Sequence, residues 1–133
     1  DLVYPHSGPT HFYGTGTPDP LRKDITLQSL EAKAARLQLI AAKNGCSCVN
    51  LSTDQSRLVF PRATLESLSE VELLELDYQT TEQVLKRESE LGYQVTSGRY
   101  WEFVEQFDPS ALAHIDALWL EAHANALLES QMA

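Results

Sequence analysis

The chain has 133 residues, 43% hydrophobic and 22% charged, with a formal net charge of −9. That is the size and composition of one ordinary globular domain, which excludes wholesale disorder and leaves room for a core without a staple. No apolar run approaches the ~18 residues of a membrane span, so the protein reads as soluble, with no membrane insertion.

The charge is segregated. Residues 1–62 carry seven Lys/Arg against five Asp/Glu, whereas residues 63–133 carry three against fourteen. An acidic half repels phosphate backbones and anionic lipid, so nucleic acid is not an expected partner. Solubility is the plain reading of that asymmetry. Docking onto a basic protein, or mimicry of a nucleic acid, are the sharper ones.

Residues 1–24 read as an irregular N-terminal arm. Pro5, Pro9, Pro18 and Pro20 disfavour helix, and Gly8, Gly14 and Gly16 loosen the chain further. Tyr4, Phe12 and Tyr13 are interleaved with them, which a mere linker would not need; the arm is expected to pack on the body or on a partner. The opening residues show neither a signal peptide nor a transit segment. A chain starting at Asp1 is expected to be a cut-out domain or a processed product. Tyr13-Gly14-Thr15-Gly16-Thr17 lacks the Lys-Ser/Thr ending of a P-loop and the three-glycine spacing of a dinucleotide fold. It resembles the aromatic-Gly-Thr element of ADP-ribosyltransferases, which implies NAD binding. The resemblance covers only these residues, that family is rich in strands, and no function is carried over from it.

Residues 25–133 are expected to form a single helical domain: mainly α, three to four helices, with a short β-hairpin at about 46–60. The first helix is predicted over Leu27–Asn44, with Asp24 or Thr26 as N-cap and an apolar face of Leu27, Leu30, Ala34, Leu37 and Ala41. Asn44-Gly45 stops it. Residues 46–60 place apolar runs on either side of the polar stretch Ser52–Ser56, which predicts the hairpin. On such a strand Cys46 and Cys48 point to opposite faces, so a disulfide between them is disfavoured and a reducing compartment is expected. A short helix is predicted at Thr64–Leu68. A longer one runs from the capping box Ser69-Glu70-Val71-Glu72 to Leu91, with Val71, Leu74, Tyr78, Thr81 and Leu85 as its stripe and Glu82–Lys86 as a favourable pair. Tyr100, Phe103, Val104 and Phe107 share a helical face, with Trp101 at its edge. Asp108-Pro109 starts the last helix, which runs to about Ser130 with Leu112, Ile115, Trp119, Ala122 and Ala126 as a seam. Periodicity leaves open whether the stripes face the chain's own core or a second protomer in a homo-oligomer.

Candidate chemistry is thin. His114 and Glu121, and likewise Asp116 and His123, lie seven apart, about 10 Å along a helix, which is too far for one metal; both pairs read as solvated. Cys46 and Cys48 make two thiolate ligands and lack further ligands nearby. No cofactor or metal is expected. Glu66, Glu70, Glu72, Glu75 and Asp77 complement a helix dipole, while Glu82, Glu88 and Glu90 exceed what a dipole explains. That surplus points to a basic partner. The leading expectation is a non-enzymatic interaction module — a subunit, adaptor or inhibitor — binding its partner through Tyr4, Phe12, Tyr13, Glu72, Glu75, Glu82 and Trp101. The alternative is a small hydrolase or toxin-like effector that uses His6 or His11 of the arm with Glu or His side chains of the body.

Overall fold

A computed structural model describes residues 29–75 and 78–132. The expected arm, with Tyr4, Phe12, Tyr13, His6 and His11, lies outside them. The described residues are mainly helical and contain no sheet.

Helix α1 spans Leu30–Lys43. Its N-cap is Ser29, with φ −100° and ψ 130°, rather than Asp24 or Thr26. The Ser29 hydroxyl accepts the Ala32 N–H at 3.1 Å and donates to Glu31 at 3.0 Å. That satisfies one orphan donor of the first turn and places a carboxylate at the positive end of the dipole. Gly45, at φ 76°, closes the helix as expected. The buried face differs from the predicted stripe: Ala32, Ala35, Gln38, Leu39 and Ala42 point inward along with Ala34, and Leu37 is 55% exposed. Alanines at three- and four-residue spacings let α1 approach its neighbours closely, and this small-residue face won over the leucine-weighted one.

The predicted hairpin at 46–60 does not form. Asn50 and Arg62 make a single isolated parallel bridge, with Asn50 N–H donating to Pro61 O at 2.8 Å and Ala63 N–H to Asn50 O at 3.1 Å. The intervening residues loop round and return in the same direction. Their backbone donors are taken by nearby side chains. Ser52 N–H donates to Asn50 Oδ1, Asp54 N–H to Ser52 Oγ and Leu58 N–H to Ser56 Oγ. Such local bonds compete with a ladder. Arg62 ties the loop by donating to the Ser52 and Asp54 carbonyls, and Arg57 pins it to α1 through a two-pronged pair with Glu31 at 2.8 and 3.0 Å.

The helix predicted from Ser69 also starts late. Leu68–Glu70 is one 3-10 turn, Val71 is extended, residues 72–75 form no regular element, and α2 spans Tyr78–Glu90. The Thr64–Leu68 segment is a turn in which Thr64 and Ser67 bond to each other. Thr81, Val84 and Glu88 form the inward face of α2, with Leu85 half-buried; Val71 and Leu74 precede the helix. Gly92, at φ 68°, ends it.

Tyr100–Gln106 is a 3-10 helix, not the α-turn that the aromatic spacing suggests. Tyr93, Tyr100 and Phe107 nevertheless pack together, with ring centroids 5.4–6.2 Å apart. Helix α3 spans Pro109–Met132, with the Asp108 carboxylate accepting the Ser110 N–H at 2.9 Å. Its predicted seam is the core: Leu112, Ile115, Trp119, Ala122 and Ala126 are all buried against Leu39, Val84 and Tyr93. Helix α3 packs on both α1 and α2, which touch each other more lightly.

Two polar contacts cross this core. Glu88, with 0% exposure, accepts Arg36 Nε at 2.8 Å and Nη2 at 3.0 Å, and accepts the Trp119 indole N–H at 2.7 Å. The Arg36 guanidinium also lies 5.7 Å from the centre of the Trp119 ring. Gln38 Oε1 meets His123 Nε2 at 2.7 Å, so the proton sits on Nε2 when the ring is neutral. The expectation that Asp116 and His123 are solvated is thus overturned, and Glu88, read as surplus acid for a basic partner, is buried against Arg36 and Trp119. Asp116 accepts the Ser29 N–H at 2.9 Å and helps to hold the start of α1.

Glu88→Ala should lower stability by about 3 kcal/mol, because it strands a half-buried cation and an indole N–H. Trp119→Phe should cost about 1 kcal/mol for the indole donor. Urea midpoints at unchanged m-values would read both effects. Burial also depresses the His123 imidazole below its usual 6.5. Below 6.5 the unfolded chain therefore holds the extra proton. The contribution of neutral His123 is complete above 6.5 and shrinks as pH falls toward the folded value. His123→Gln should flatten the fall in urea midpoint between pH 7 and 5; an unchanged slope would contradict this assignment.

Candidate functional site

The acidic residues assigned to a partner surface separate into two groups. Those on α2 are largely engaged within the chain: Glu88 with Arg36, Glu82 with Lys43 at 3.2 Å, and Glu90 with Arg87 at 3.4 Å. Exposed pairs of this kind contribute little to stability, yet they cancel the charge that a partner would meet. Glu82–Lys43 replaces the expected Glu82–Lys86 pair and joins α2 to the end of α1. The surplus acid on α2 therefore has an internal explanation.

The second group lies before α2. Glu66, Glu70, Glu72 and Glu75 are exposed, and their carboxylates make no ion pair among the described residues. Leu65, 71% exposed, stands just before them, and Leu68 and Leu73, also exposed, stand between them. Sequence reasoning missed these leucines by placing Leu65 and Leu68 in a short helix at Thr64–Leu68 and Leu73 in the helix from Ser69. The available signal was that Leu73 falls off the stripe of Val71 and Leu74. Of the predicted partner-binding residues, the structure thus brings Glu72 and Glu75 onto one acidic–apolar segment and sets Glu82 apart on α2. Trp101, 67% exposed, stands apart on the 3-10 helix beside the exposed Val104.

A shallow cleft of about 350 Å³ adjoins the segment, lined by residues of the Asn50–Arg62 bridge and of the 67–72 stretch. Val49, Pro61, Ala63 and Val71 give it apolar walls, and Glu70 and Glu72 give it an acidic side. Asn50, buried next to Val49, accepts the Ser52 N–H through Oδ1, which fixes the orientation of its amide. Its Nδ2 has no hydrogen-bond partner among the described residues. Buried donors are rarely left in that state.

A second cleft, of about 390 Å³, runs between α2 and α3. His114 and Glu121 share its wall with Arg87, Gln83, Thr80 and Asn125 over a floor of Val84, Leu118 and Ala122. No group of three or more His, Cys, Asp or Glu could hold a metal ion among the described residues. No described helix is long and apolar enough to cross a membrane. Cys46 is exposed and Cys48 half-buried; both are free thiols. Burial, aided by the neighbouring Cys46, pushes the Cys48 thiol up.

No protein-family model, no curated protein and no solved structure matches the chain.

With the thiolate as the reacting form, a maleimide at pH 7 should modify Cys46 several-fold faster than Cys48. Peptide mapping of partly labelled protein would show this order, and equal rates would contradict the half-buried setting of Cys48.

Proposed function

We propose that the chain is a non-enzymatic protein-interaction module, a subunit, adaptor or inhibitor, that presents an acidic–apolar surface to a partner with basic and apolar side chains. The observation that carries this reading is the 65–75 segment: exposed leucines interleaved with carboxylates that make no ion pair among the described residues. Isolated exposed leucines need no explanation, but several along one short segment make a patch that water solvates poorly. Apolar contacts supply affinity, while the surrounding acid steers a basic partner and rejects acidic ones. Trp101 is a second exposed anchor of the kind that interfaces favour. The arm residues Tyr4, Phe12 and Tyr13 belong to the same proposal as a further contact.

The test is a pull-down from the native source at low and high salt. The baits are the intact chain, a chain truncated before Asp24, and an intact chain carrying Glu66→Gln, Glu70→Gln, Glu72→Gln and Glu75→Gln. A partner captured by the intact chain should be lost at least ten-fold with the four-site variant, and should elute as salt rises. Loss with the truncated bait as well would assign part of the contact to the arm. Undiminished capture by the four-site variant would sink the role of the 65–75 segment.

A further inference from the structure

The 3-10 helix Tyr100–Gln106 turns once in three residues, so side chains three apart stand one above the other. Tyr100 and Phe103 fall on its inner ridge and are half-buried. The other two ridges face outward: Trp101 with Val104, and Glu102 with Glu105, all four exposed. The helix thereby sets an aromatic–apolar ridge beside an acidic one. A cleft of about 460 Å³ is lined by both ridges and by no basic residue. Glu102 meets Arg99 at 3.4 Å in an exposed pair that contributes little. Among the described residues Glu105 makes no ion pair, and the Trp101 indole has neither an acceptor for its N–H nor a ring or a cation against its face. At 67% exposure its ring adds little to the core.

The core of the same molecule shows what a tryptophan and a glutamate accept together. The Arg36 guanidinium lies 5.7 Å from the centre of the Trp119 ring and donates to Glu88 at 2.8 and 3.0 Å. A planar guanidinium meets both groups at once, an aromatic face through its own face and a carboxylate through its edge. A lysine ammonium is a compact point charge without that shape. Trp101 and Glu105 present the same two groups at the surface, and no described arginine engages either. Charge selects the same occupant. Residues 63–133 carry fourteen Asp/Glu against three Lys/Arg, which draws a cationic side chain toward this half of the chain. A second copy of the chain, with its net charge of −9, would approach against repulsion.

We infer that the cleft at Trp101 and Glu105 receives an arginine side chain of a partner protein, with its guanidinium stacked on the indole and bonded to the Glu105 carboxylate. This rests on the interaction-module reading and names the partner side chain that Trp101 anchors. The indole and Val104 cover the apolar flank of the incoming residue, and the carboxylate selects its charge.

The experiment titrates the isotope-labelled intact chain with a capped Leu-Arg-Leu tripeptide and follows proton–nitrogen correlation spectra. The comparison peptides carry citrulline, which keeps the shape of arginine and loses its charge, or lysine in the central position. The arginine peptide should shift the Trp101 indole N–H signal saturably and leave that of the buried Trp119 in place. The citrulline and lysine peptides should each bind at least about three-fold more weakly. Trp101→Leu and Glu105→Gln alter exposed side chains and should each weaken binding by a similar factor, read at the Val104 amide. An unmoved Trp119 indole signal would confirm that both variants fold. Equal affinity of the citrulline or the lysine peptide, undiminished binding by either variant, or no saturable shift of the Trp101 indole would overturn the assignment. Shifts mapped to residues 65–75 instead would overturn it while leaving the interaction-module reading in place.

Discussion

A carboxylate with no access to water stands where three helices meet, and the arrangement of those helices depends on it. Taking Glu88 out of water costs several kcal/mol, and that cost is offset only when its oxygens are met by well-placed donors. Here the donors come from two other helices. Arg36 of α1 supplies a forked guanidinium, and Trp119 of α3 supplies an indole N–H. The guanidinium is about a third exposed, so the pair straddles the boundary between core and solvent. Each donor is directional, and together they fix the rotation of α1, α2 and α3 about their own axes. Apolar packing alone leaves such rotations loosely specified. The Gln38–His123 contact repeats the device between α1 and α3 without a formal charge.

The non-helical part of the chain follows a different principle. Residues 44–75 contribute few side chains to the central cluster and are held mainly by polar bonds. Arg57 fastens them to Glu31 at the start of α1, Arg62 closes the loop on itself, and Ser130 of α3 fixes Glu75. These attachments use side chains, Ser47 among them through the Glu72 carbonyl, and leave Leu65, Leu68 and Leu73 exposed. The helical bundle and the outward-facing segment are thus separable in kind: one is built by burial, the other by staples that hold a surface in position.

The extent and apolar seam of helix α3 were legible in the sequence, since Asp108-Pro109 announces its start and five apolar residues recur at three- and four-residue spacing, but the burial of Asp116 and His123 beside that seam was not. Helix α1 was legible in extent but not in orientation. Leu30 and Leu37 outweigh alanines on a hydrophobicity count, yet the inward face is that of Leu39, whose neighbours at three- and four-residue spacing are Ala32, Ala35 and Ala42 with Gln38 beside them. Glu88 was unreadable for a related reason: a glutamate on a helix rich in acid gives no local sign that Arg36, 52 positions earlier, will reach it. The hairpin reading failed at Asn50, Ser52 and Ser56. The flanking apolar runs obey strand rules, but the short polar side chains between them bond their own backbone. The helix read from Ser69 failed because Ser69 lies inside a 3-10 turn whose N-cap position is Ser67, so it caps nothing, and that turn ends at Glu70. The acidic surface was legible as a charge imbalance. Which of its carboxylates stay unpaired was not, because that depends on which acids the fold neutralises.

The position of Glu88 also governs where this chain can change in length. Thr81, Val84 and Glu88 face inward together, and the Glu88 carbonyl accepts the Tyr93 N–H that turns the chain out of α2. One residue inserted between Thr81 and Glu88 would swing the carboxylate by about 100° and carry the following turn with it. The loop between Asn50 and Arg62 is joined at its ends by its own bridge and pinned to α1 through Arg57, but its tip at residues 53–55 faces solvent. Related chains that keep this fold are therefore expected to share an α2 of constant length and to differ in length chiefly at that tip.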